Sequence, residues 1–296
     1  MEQENKIYSP IHRLVYDQFQ IDVKRDDLID PYISGNKYRK LKYILKTANA
    51  LGKDHLVTFG GAYSNHVLAT AAAAARFGYR STAFIRGEEV HNHMLFLCHM
   101  FGMKCIFISR ECYRDKQKLF DAYFSKDPQT FMIDEGGAGE EAVKGCAEII
   151  DEITEPYDYL FCAAGTGTTG AGLLRGINQK ALPTALHIIP VLKDNEFIRG
   201  QISRYEPNTD CLHFHTDYHF GGYAKTTPHL LDFIQDFTQK TGLLTDHVYT
   251  GKVFYALYDL LQKQIIPSDA RILVLHTGGL LGLLGAEQKF RNETAL

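Results

Sequence analysis

The residue of this chain best suited to covalent chemistry is Lys37, in the run Ser-Gly-Asn-Lys-Tyr-Arg-Lys-Leu at positions 34–41. Apolar residues recur after it at helical spacing as far as Gly52, which predicts a helix that begins near Lys37. Lys37 falls on the apolar face, whereas Arg39 and Lys40 fall largely elsewhere. A desolvated amine at the positive end of a helix dipole has a lowered pKa and acts as a nucleophile or base. The alternative is an exposed lysine at a basic helix start.

The loop before an alanine-rich helix has the residues for a carboxylate site. Gly60 and Gly61 let the backbone approach a ligand closely, and Ser64, Asn65 and His66 follow at the predicted helix start. Their side chains, with the free N–H groups of the helix start, form a suitable seat for a carboxylate. The alternative is that Ser64 or Asn65 is an ordinary N-cap.

A second glycine-rich loop directly follows a predicted strand and opens a helix. It consists of Gly165, Thr166, Gly167, Thr168, Thr169 and Gly170. Backbone N–H groups and threonine hydroxyls in such a loop form a cup for a phosphate group. The glycines also match G-x-G-x-x-G, with Asp194 further along, so a nicotinamide-dependent oxidoreductase is an alternative. The loop indicates phosphate more firmly than it indicates a dinucleotide.

Two further loops bring hydroxyl groups to the ends of predicted elements. One carries Tyr249 and Thr250 before a helix, and the other carries Thr277 after a strand. Each is equally compatible with a simple turn and cap. Two His-x-His pairs, at 91–93 and 213–215, resemble metal spacings. No cysteine or carboxylate completes a ligand set at an expected spacing, so we expect no metal.

Composition and charge exclude several classes of function. The 296 residues carry a formal net charge of −3, which gives no electrostatic basis for binding nucleic acid or an anionic membrane. The polar N-terminus does not resemble a signal peptide, and no apolar run approaches the length of a membrane span. The six cysteines form no C-x-x-C pair and are expected to be reduced thiols. We therefore expect a cytoplasmic protein.

Short apolar runs alternate with helical segments along the chain. The predicted strands are 55–59, 81–85, 104–109, 130–133, 159–163, 187–192 and 272–276. This alternation predicts an α/β fold with parallel sheets covered by helices on both faces. We expect two lobes, a smaller one at 41–132 inserted into a larger one formed by 1–40 and 133–296. Ligands in such folds bind at the carboxyl ends of strands, where the loops described above lie.

A reactive lysine, a carboxylate seat and a phosphate cup together match the needs of pyridoxal 5′-phosphate. The motifs also resemble, in order and over nearly the whole chain, those of the 1-aminocyclopropane-1-carboxylate deaminase / D-cysteine desulfhydrase family. The matching segments are Gly35-Asn36-Lys37-x-Arg39-Lys40-Leu41, Gly60-Gly61-x-x-Ser64-Asn65-His66, 165–170, Gly221-Gly222-Tyr223, Val248-Tyr249-Thr250-Gly251-Lys252 and His276-Thr277-Gly278-Gly279. The resemblance implies a fold-type II pyridoxal-phosphate enzyme, similar to the tryptophan synthase β subunit, and a homodimer.

The resemblance also implies which residues bind the cofactor. Lys37 would form the imine with its aldehyde, and Asn65 would hydrogen-bond its ring hydroxyl oxygen. The loop from Gly165 through Thr166, Gly167 and Thr168 to Thr169 would hold the phosphate, with help from Lys40.

For the substrate, the resemblance implies that Ser64, Asn65 and His66 seat the carboxylate of an amino acid. Tyr223 and Tyr249 would face the substrate. Thr250 and Thr277 would lie near the pyridine nitrogen or the substrate.

The two threonines bear on which reaction is catalysed. Family deaminases that open the cyclopropane ring resemble one another in having Glu after the Val-Tyr pair and Leu in place of Thr277, whereas Thr at both positions is the desulfhydrase pattern. We therefore expect α,β-elimination from a small amino acid such as D-cysteine, to a keto acid and ammonia. Ring-opening deamination, racemisation and β-replacement remain alternatives on the same cofactor. A non-catalytic pyridoxal-phosphate carrier is a further alternative, and would not need Tyr223 and Tyr249.

Overall fold

The computed structural model of the chain describes residues 7–291 and contains two twisted sheets flanked by helices. The strands are β1 (Ile11–Tyr16), β2 (Phe19–Lys24), β3 (His55–Gly61), β4 (Arg80–Arg86), β5 (Lys104–Ile108), β6 (Thr130–Ile133), β7 (Tyr159–Ala164), β8 (Ala185–Pro190), β9 (Leu212–Phe214) and β10 (Ile272–Leu275). The larger sheet has the order β1-β2-β10-β7-β8-β9 and the smaller β5-β4-β3-β6. The predicted α/β fold class is confirmed.

Ten α-helices cover these sheets within the described residues. They are α1 (Asn36–Ala50), α2 (Asn65–Phe77), α3 (His93–Met100), α4 (Lys116–Phe124), α5 (Glu140–Asp151), α6 (Thr168–Gln179), α7 (Asn195–Tyr205), α8 (Pro228–Thr241), α9 (Thr250–Gln262) and α10 (Glu287–Arg291). No helix in the described part of the chain is long and apolar enough to cross a membrane.

The predicted strands formed because their apolar runs are buried on both faces of parallel sheets. Strands β7 and β8 are examples, with side chains that divide between two core clusters on opposite faces of the larger sheet. The run predicted at 187–192 is shifted, since β8 spans Ala185–Pro190. The antiparallel hairpin of β1 and β2 was not predicted, because exposed polar residues interrupt its apolar pattern.

The smaller sheet is entirely parallel and is built from one continuous stretch of chain, 55–133. The larger sheet takes its strands from both sides of that stretch. The assignment of 41–132 to a separate inserted lobe stays a prediction, which this topology supports.

Close helix packing places the start of α1 beside the start of α6. A Cβ atom at Gly145 of α5 would overlap the carbonyl oxygen of Arg39 on α1, and one at Gly172 of α6 would overlap Cys146 on α5. Glycine at these positions therefore lets α5 pack tightly against both neighbours. The result brings Lys37 and the phosphate-cup loop to the same region of the molecule.

Arg39 and Lys40 of α1 are both buried although they lie largely outside its apolar face. The Arg39 guanidinium lies 2.8 Å from the carboxylate of Asp26, and both side chains are fully buried. Arg39 also pairs with Glu152, which in turn bonds the ammonium of buried Lys24 at 2.7 Å. Helical periodicity from α1 alone does not show that carboxylates distant in sequence will cover this face.

Candidate active site

Four strand-end loops surround the first turn of α1, which carries Lys37. These loops follow the carboxyl ends of β3 and β6 in the smaller sheet and of β7 and β10 in the larger one. The side chain of Asn36 donates a 2.9 Å hydrogen bond to the hydroxyl of Thr169 at the start of α6. Gly35, with φ of 58°, packs so closely that a Cβ atom would overlap the carbonyl oxygen of Thr277. These contacts fix where Lys37 enters the site.

The amino groups of Lys37 and Lys40 converge on one carbonyl oxygen. Lys37 Nζ lies 3.3 Å and Lys40 Nζ 3.0 Å from the oxygen of Gly136. Burial, followed by the charge of Lys40, holds the pKa of Lys37 well below its ordinary value, and burial also lowers the pKa of Lys40. These surroundings lower the pKa of Lys37, which is the direction that the sequence analysis expected and which favours the free amine as a nucleophile or base.

The sequence analysis missed the loop that supplies this carbonyl. Gly136 and Gly137, directly after β6, both have positive φ, at 70° and 67°. A Cβ atom at Gly136 would lie 2.9 Å from Cγ2 of Thr166, so this loop packs against the phosphate-cup loop. A glycine pair at the end of a predicted strand was the signal that marked this site in the sequence.

The predicted carboxylate seat has a mixed outcome in the structure. Ser64 is the N-cap of α2, and its hydroxyl accepts a hydrogen bond from the N–H of Val67 at 3.3 Å. Asn65 lies against Gly279, where a Cβ atom would approach its Nδ2 to 2.5 Å. The side chain of His66 is buried, and its Nε2 lies 2.8 Å from the hydroxyl of Thr58. The N-cap alternative therefore holds for Ser64, and the His66 side chain has a partner inside the protein.

The predicted phosphate cup begins α6 at Gly167, which is its N-cap and has φ of 79°. Thr166 and Thr168 have hydroxyls 3.2 Å apart, and the first N–H groups of α6 have no partner within the helix, as at any helix start. Gly170 serves packing instead, because a Cβ atom there would lie 3.0 Å from side chains of both Ile188 and Ile202.

Asp194, the acidic residue of the nicotinamide alternative, is the N-cap of α7. Its carboxylate accepts a 2.9 Å hydrogen bond from the N–H of Phe197. This capping contact explains the residue without a nucleotide.

The side chains of Tyr223 and Tyr249 lie close together, with their hydroxyl oxygens 3.5 Å apart. Tyr249 also approaches the phosphate-cup loop, since a Cβ atom at Gly165 would lie 3.4 Å from its ring. Burial, with the nearby Tyr223, raises the pKa of Tyr249 well above its ordinary value, so its hydroxyl stays protonated and can donate.

Thr250 has a structural partner that the sequence analysis did not identify. Its hydroxyl donates a 2.7 Å hydrogen bond to the carboxylate of Asp246, which is 1% exposed. The same carboxylate accepts bonds from the N–H groups of Val248, Tyr249 and Thr250 at 2.8, 2.9 and 2.8 Å. Asp246 therefore fixes the backbone that presents Tyr249.

Thr277 is largely buried. Its carbonyl oxygen accepts a 3.4 Å hydrogen bond from the N–H of Asn36, the first residue of α1. His276 beside it is fully buried, and its Nε2 lies 2.9 Å from the carbonyl oxygen of Leu244. Within residues 7–291, no group of three or more His, Cys, Asp or Glu side chains is arranged to hold a metal ion.

Comparison with known proteins identifies the family. Residues 9–278 match the model of a family described as pyridoxal-phosphate dependent enzyme. The chain belongs to this family of pyridoxal-phosphate-dependent enzymes. This family uses pyridoxal phosphate, which excludes the alternative that the glycine-rich loop binds a nicotinamide dinucleotide.

The similar proteins within this family include ones named as deaminases and desulfhydrases. A Thermotoga maritima protein, provisionally named a 1-aminocyclopropane-1-carboxylate deaminase, is 30% identical, and the match covers 92% of each chain. An Arabidopsis thaliana protein named as a bifunctional, mitochondrial D-cysteine desulfhydrase/1-aminocyclopropane-1-carboxylate deaminase is also 30% identical, over 93% of this chain and 77% of its own. The crystal structure of an ACC deaminase homologue superposes with a TM-score of 0.85 at 27% identity, covering 96% of this chain and 93% of that one.

The residues of the site fit the cofactor that this family of pyridoxal-phosphate enzymes uses. A lysine with a lowered pKa lies near the N-terminus of α6, where Asn36 bonds Thr169, and a helix N-terminus suits a phosphate group. The glycine pair after β6 leaves the room that a Cβ atom would otherwise fill beside Thr166 and His66. Lys37, Asn65 and the loop 165–169 are therefore the residues that would hold the cofactor.

Proposed function

We propose that this enzyme catalyses α,β-elimination from a small amino acid, with D-cysteine as the substrate type. The observation that carries the proposal is the neutral hydroxyl of Thr250, bonded to the buried carboxylate of Asp246. Ring-opening members of the family resemble one another in carrying Glu at this position. A second carboxylate here would lie beside that of Asp246, at a buried position where like charges are costly.

The residues of the chain can be given definite roles in this reaction. Lys37 would hold pyridoxal phosphate, which would supply the electron sink that makes the α-hydrogen of a bound amino acid acidic. The amine of Lys37 would serve as the base that takes the α-proton. Tyr249 stays protonated and donates its hydroxyl hydrogen bond toward the substrate, while the N–H groups at the start of α2 seat the carboxylate.

The net reaction is balanced without any further reagent than water. D-cysteine and water give pyruvate, hydrogen sulfide and ammonia, with the proton taken by Lys37 returned to the products. Thiolate is a good leaving group, so this elimination needs less carbanion stabilisation than the breaking of a carbon–carbon bond.

Ring-opening deamination is the second candidate, because the Thermotoga maritima relative carries that name. Its products from 1-aminocyclopropane-1-carboxylate and water are 2-oxobutanoate and ammonia, without sulfide. The Arabidopsis thaliana relative is named for both activities, so each substrate needs its own assay.

The test compares the two substrates on the purified wild-type enzyme and on Lys37→Ala. We expect sulfide and pyruvate from D-cysteine at a kcat/KM well above that for 2-oxobutanoate from 1-aminocyclopropane-1-carboxylate. We also expect the visible absorption of the cofactor bound to lysine to be lost or displaced in Lys37→Ala. Efficient ring opening with no release of sulfide would refute the elimination proposal, and an unchanged spectrum in the variant would refute the role of Lys37.

A further inference from the structure

An arginine at a strand end beside the predicted carboxylate seat has no carboxylate partner in the described chain. Arg86 is the last residue of β4 and is paired in register with Gly61, the last residue of β3. A Cβ atom at Gly61 would lie 4.0 Å from a guanidinium nitrogen of Arg86. At the opposite end of the same strand, Arg80 pairs with Asp54 at 2.6 Å, whereas Arg86 forms no salt bridge within residues 7–291.

The charge of Arg86 reaches the tyrosines of the site. Burial raises the pKa of Tyr223, and the positive charge of Arg86 acts against that rise, so the guanidinium lies within electrostatic reach of the Tyr223 hydroxyl. This hydroxyl is 3.5 Å from that of Tyr249, whose ring lies beside the phosphate-cup loop. The guanidinium therefore borders the site from the smaller sheet, and the tyrosines border it from segments that pack on the larger sheet.

The ring of Tyr113 supports the guanidinium, and its hydroxyl is a second donor. The guanidinium carbon of Arg86 lies over this ring, 5.5 Å from its centroid. Tyr113 is 3% exposed, and its hydroxyl has no hydrogen-bond partner among the residues that the structure describes. Burial, followed by the charge of Glu135, raises the pKa of Tyr113, so the hydroxyl stays protonated. Two donors without acceptors therefore lie together beside the carboxylate seat.

The carboxylates near these donors are bound by a lysine. Lys116 Nζ lies 3.2 Å from the carboxylate of Glu135 and 3.6 Å from that of Asp134. Glu135 directly precedes Gly136, whose carbonyl oxygen receives the two lysine amines of the site. Lys116 rather than Arg86 therefore compensates these carboxylates, and the charge of Arg86 is left for a ligand.

We propose that Arg86 binds a negatively charged group on the side chain of the substrate, so that the enzyme favours small amino acids with an anionic β-substituent. A guanidinium presents its N–H donors in one plane, which suits a carboxylate or another oxyanion. The thiolate that leaves D-cysteine carries the same charge on the same carbon. The inference rests on the proposed function for the location of the substrate, and adds the charge that its side chain should carry.

Two ligands of the same shape isolate the charge of the side chain. D-aspartate carries a carboxylate where D-asparagine carries an amide, and neither has a thiol to eliminate. Titration of each into the purified holoenzyme, followed by the visible absorption of the cofactor, gives a dissociation constant that does not depend on turnover. The L-enantiomers are titrated in parallel, and the enantiomer that binds more tightly is used for the variants. We expect aspartate to bind the wild type about tenfold more tightly than asparagine, with a smaller preference at raised salt concentration.

Variants of the exposed Arg86 assign this preference to its charge. We expect Arg86→Gln to weaken aspartate binding by about tenfold and to change asparagine binding by less than about twofold. Arg86→Lys, which keeps the charge without the planar donors, should recover part of the preference. Lys104→Gln removes an exposed charge from the amino end of β5 in the same sheet, and this control should keep the wild-type ratio.

The two ligands also distinguish the proposed contact from the nearest alternative. An equal loss of affinity for both in Arg86→Gln would place the guanidinium at the α-carboxylate, which both share, and would overturn the proposal. Equal wild-type affinities, no spectral change with any ligand, or an unchanged ratio in Arg86→Gln would overturn it as well. Sulfide release from D-cysteine is measured on the same preparations. Its absence would refute the proposed elimination, whereas the aspartate-to-asparagine ratio decides separately on Arg86.

Discussion

The ammonium group of Lys252 lies 3.0 Å from the carbonyl oxygen of Gly222, the residue directly before Tyr223. A second hydrogen bond of 2.8 Å joins the same ammonium to the carbonyl oxygen of His219. Lys252 is fully buried on α9, and burial lowers its pKa to about 8. The side chain therefore ties the Tyr223 loop to the helix that begins with Tyr249 as its N-cap.

Replacing this lysine should weaken catalysis without removing the cofactor. In Lys252→Met the stem is kept and both hydrogen bonds are lost, so Tyr223 is held less firmly against Tyr249. We expect kcat/KM for the amino acid to fall by about tenfold, equivalent to about 1.4 kcal/mol, with the cofactor absorption unchanged. Lys263→Met, at an exposed end of α9, is the control and should keep wild-type kcat/KM. Equal values in the two variants would contradict the positioning role of Lys252.

Gly35, the N-cap of α1, should not be replaceable by a residue with a side chain. Gly35→Ala combines a left-handed backbone with overlap against the carbonyl of Thr277, whereas Gly52→Ala combines a similar φ of 65° with open space. Urea unfolding followed by circular dichroism should show a loss of about 1 kcal/mol for Gly52→Ala. The loss for Gly35→Ala should be clearly larger, and its cofactor absorption should be reduced. A similar loss in both would show that backbone strain alone governs position 35.

The buried pair of Arg39 and Asp26 should be costly to break. Arg39→Met leaves the carboxylate of Asp26 buried without its partner, and we expect a loss of about 3–5 kcal/mol in the free energy of unfolding. The double variant Arg39→Met/Asp26→Leu should recover part of that loss in a double-mutant cycle.

The exposed pair of Arg80 and Asp54, at 2.6 Å, is the matched comparison for this cycle. Because both of its side chains are more than half exposed, Arg80→Met should cost less than about 1 kcal/mol. A coupling energy near zero for Arg39 and Asp26 would contradict a structural role for their pairing.

A cluster of imidazoles at the edge of the larger sheet should make stability sensitive to acid. The ring of His187 lies between those of His213 and His215, with centroids 4.9 Å from each. Burial, followed by these neighbours, lowers the pKa of His187 from 6.5 to about 3. Between these values the unfolded chain binds a proton that the folded chain does not, so stability present above pH 6.5 is lost as the pH falls.

His187 alone should therefore contribute a slope of about 1.4 kcal/mol per pH unit below pH 6.5. Urea unfolding at pH 5 and pH 7.5 measures the difference, which should be smaller in His187→Phe than in the wild type. His99→Gln, at an exposed position of α3, is the control and should keep the wild-type difference. An unchanged difference in His187→Phe would show that other groups carry the acid sensitivity.

Much of the fold could be predicted because the central strands of a parallel sheet have continuous apolar sequences. The strand predicted at 130–133 was matched at both ends, and that at 159–163 lacked one residue of β7. The helix start at Lys37 was also predictable, since apolar spacing and Gly52 marked its extent. Strand β9, with three residues, was too short to produce a pattern.

The sequence by itself determined the residue types of the site, the order of its loops and the parallel α/β fold, because periodicity and turn chemistry are local properties. The tertiary structure decided which groups meet. Lys37 reaches the carbonyl of Gly136, 99 positions away, and Asn36 reaches Thr169, 133 positions away. Such contacts depend on the crossing of helices and on strand order, which no local pattern encodes. The buried Arg39 likewise reaches Glu152, 113 positions away.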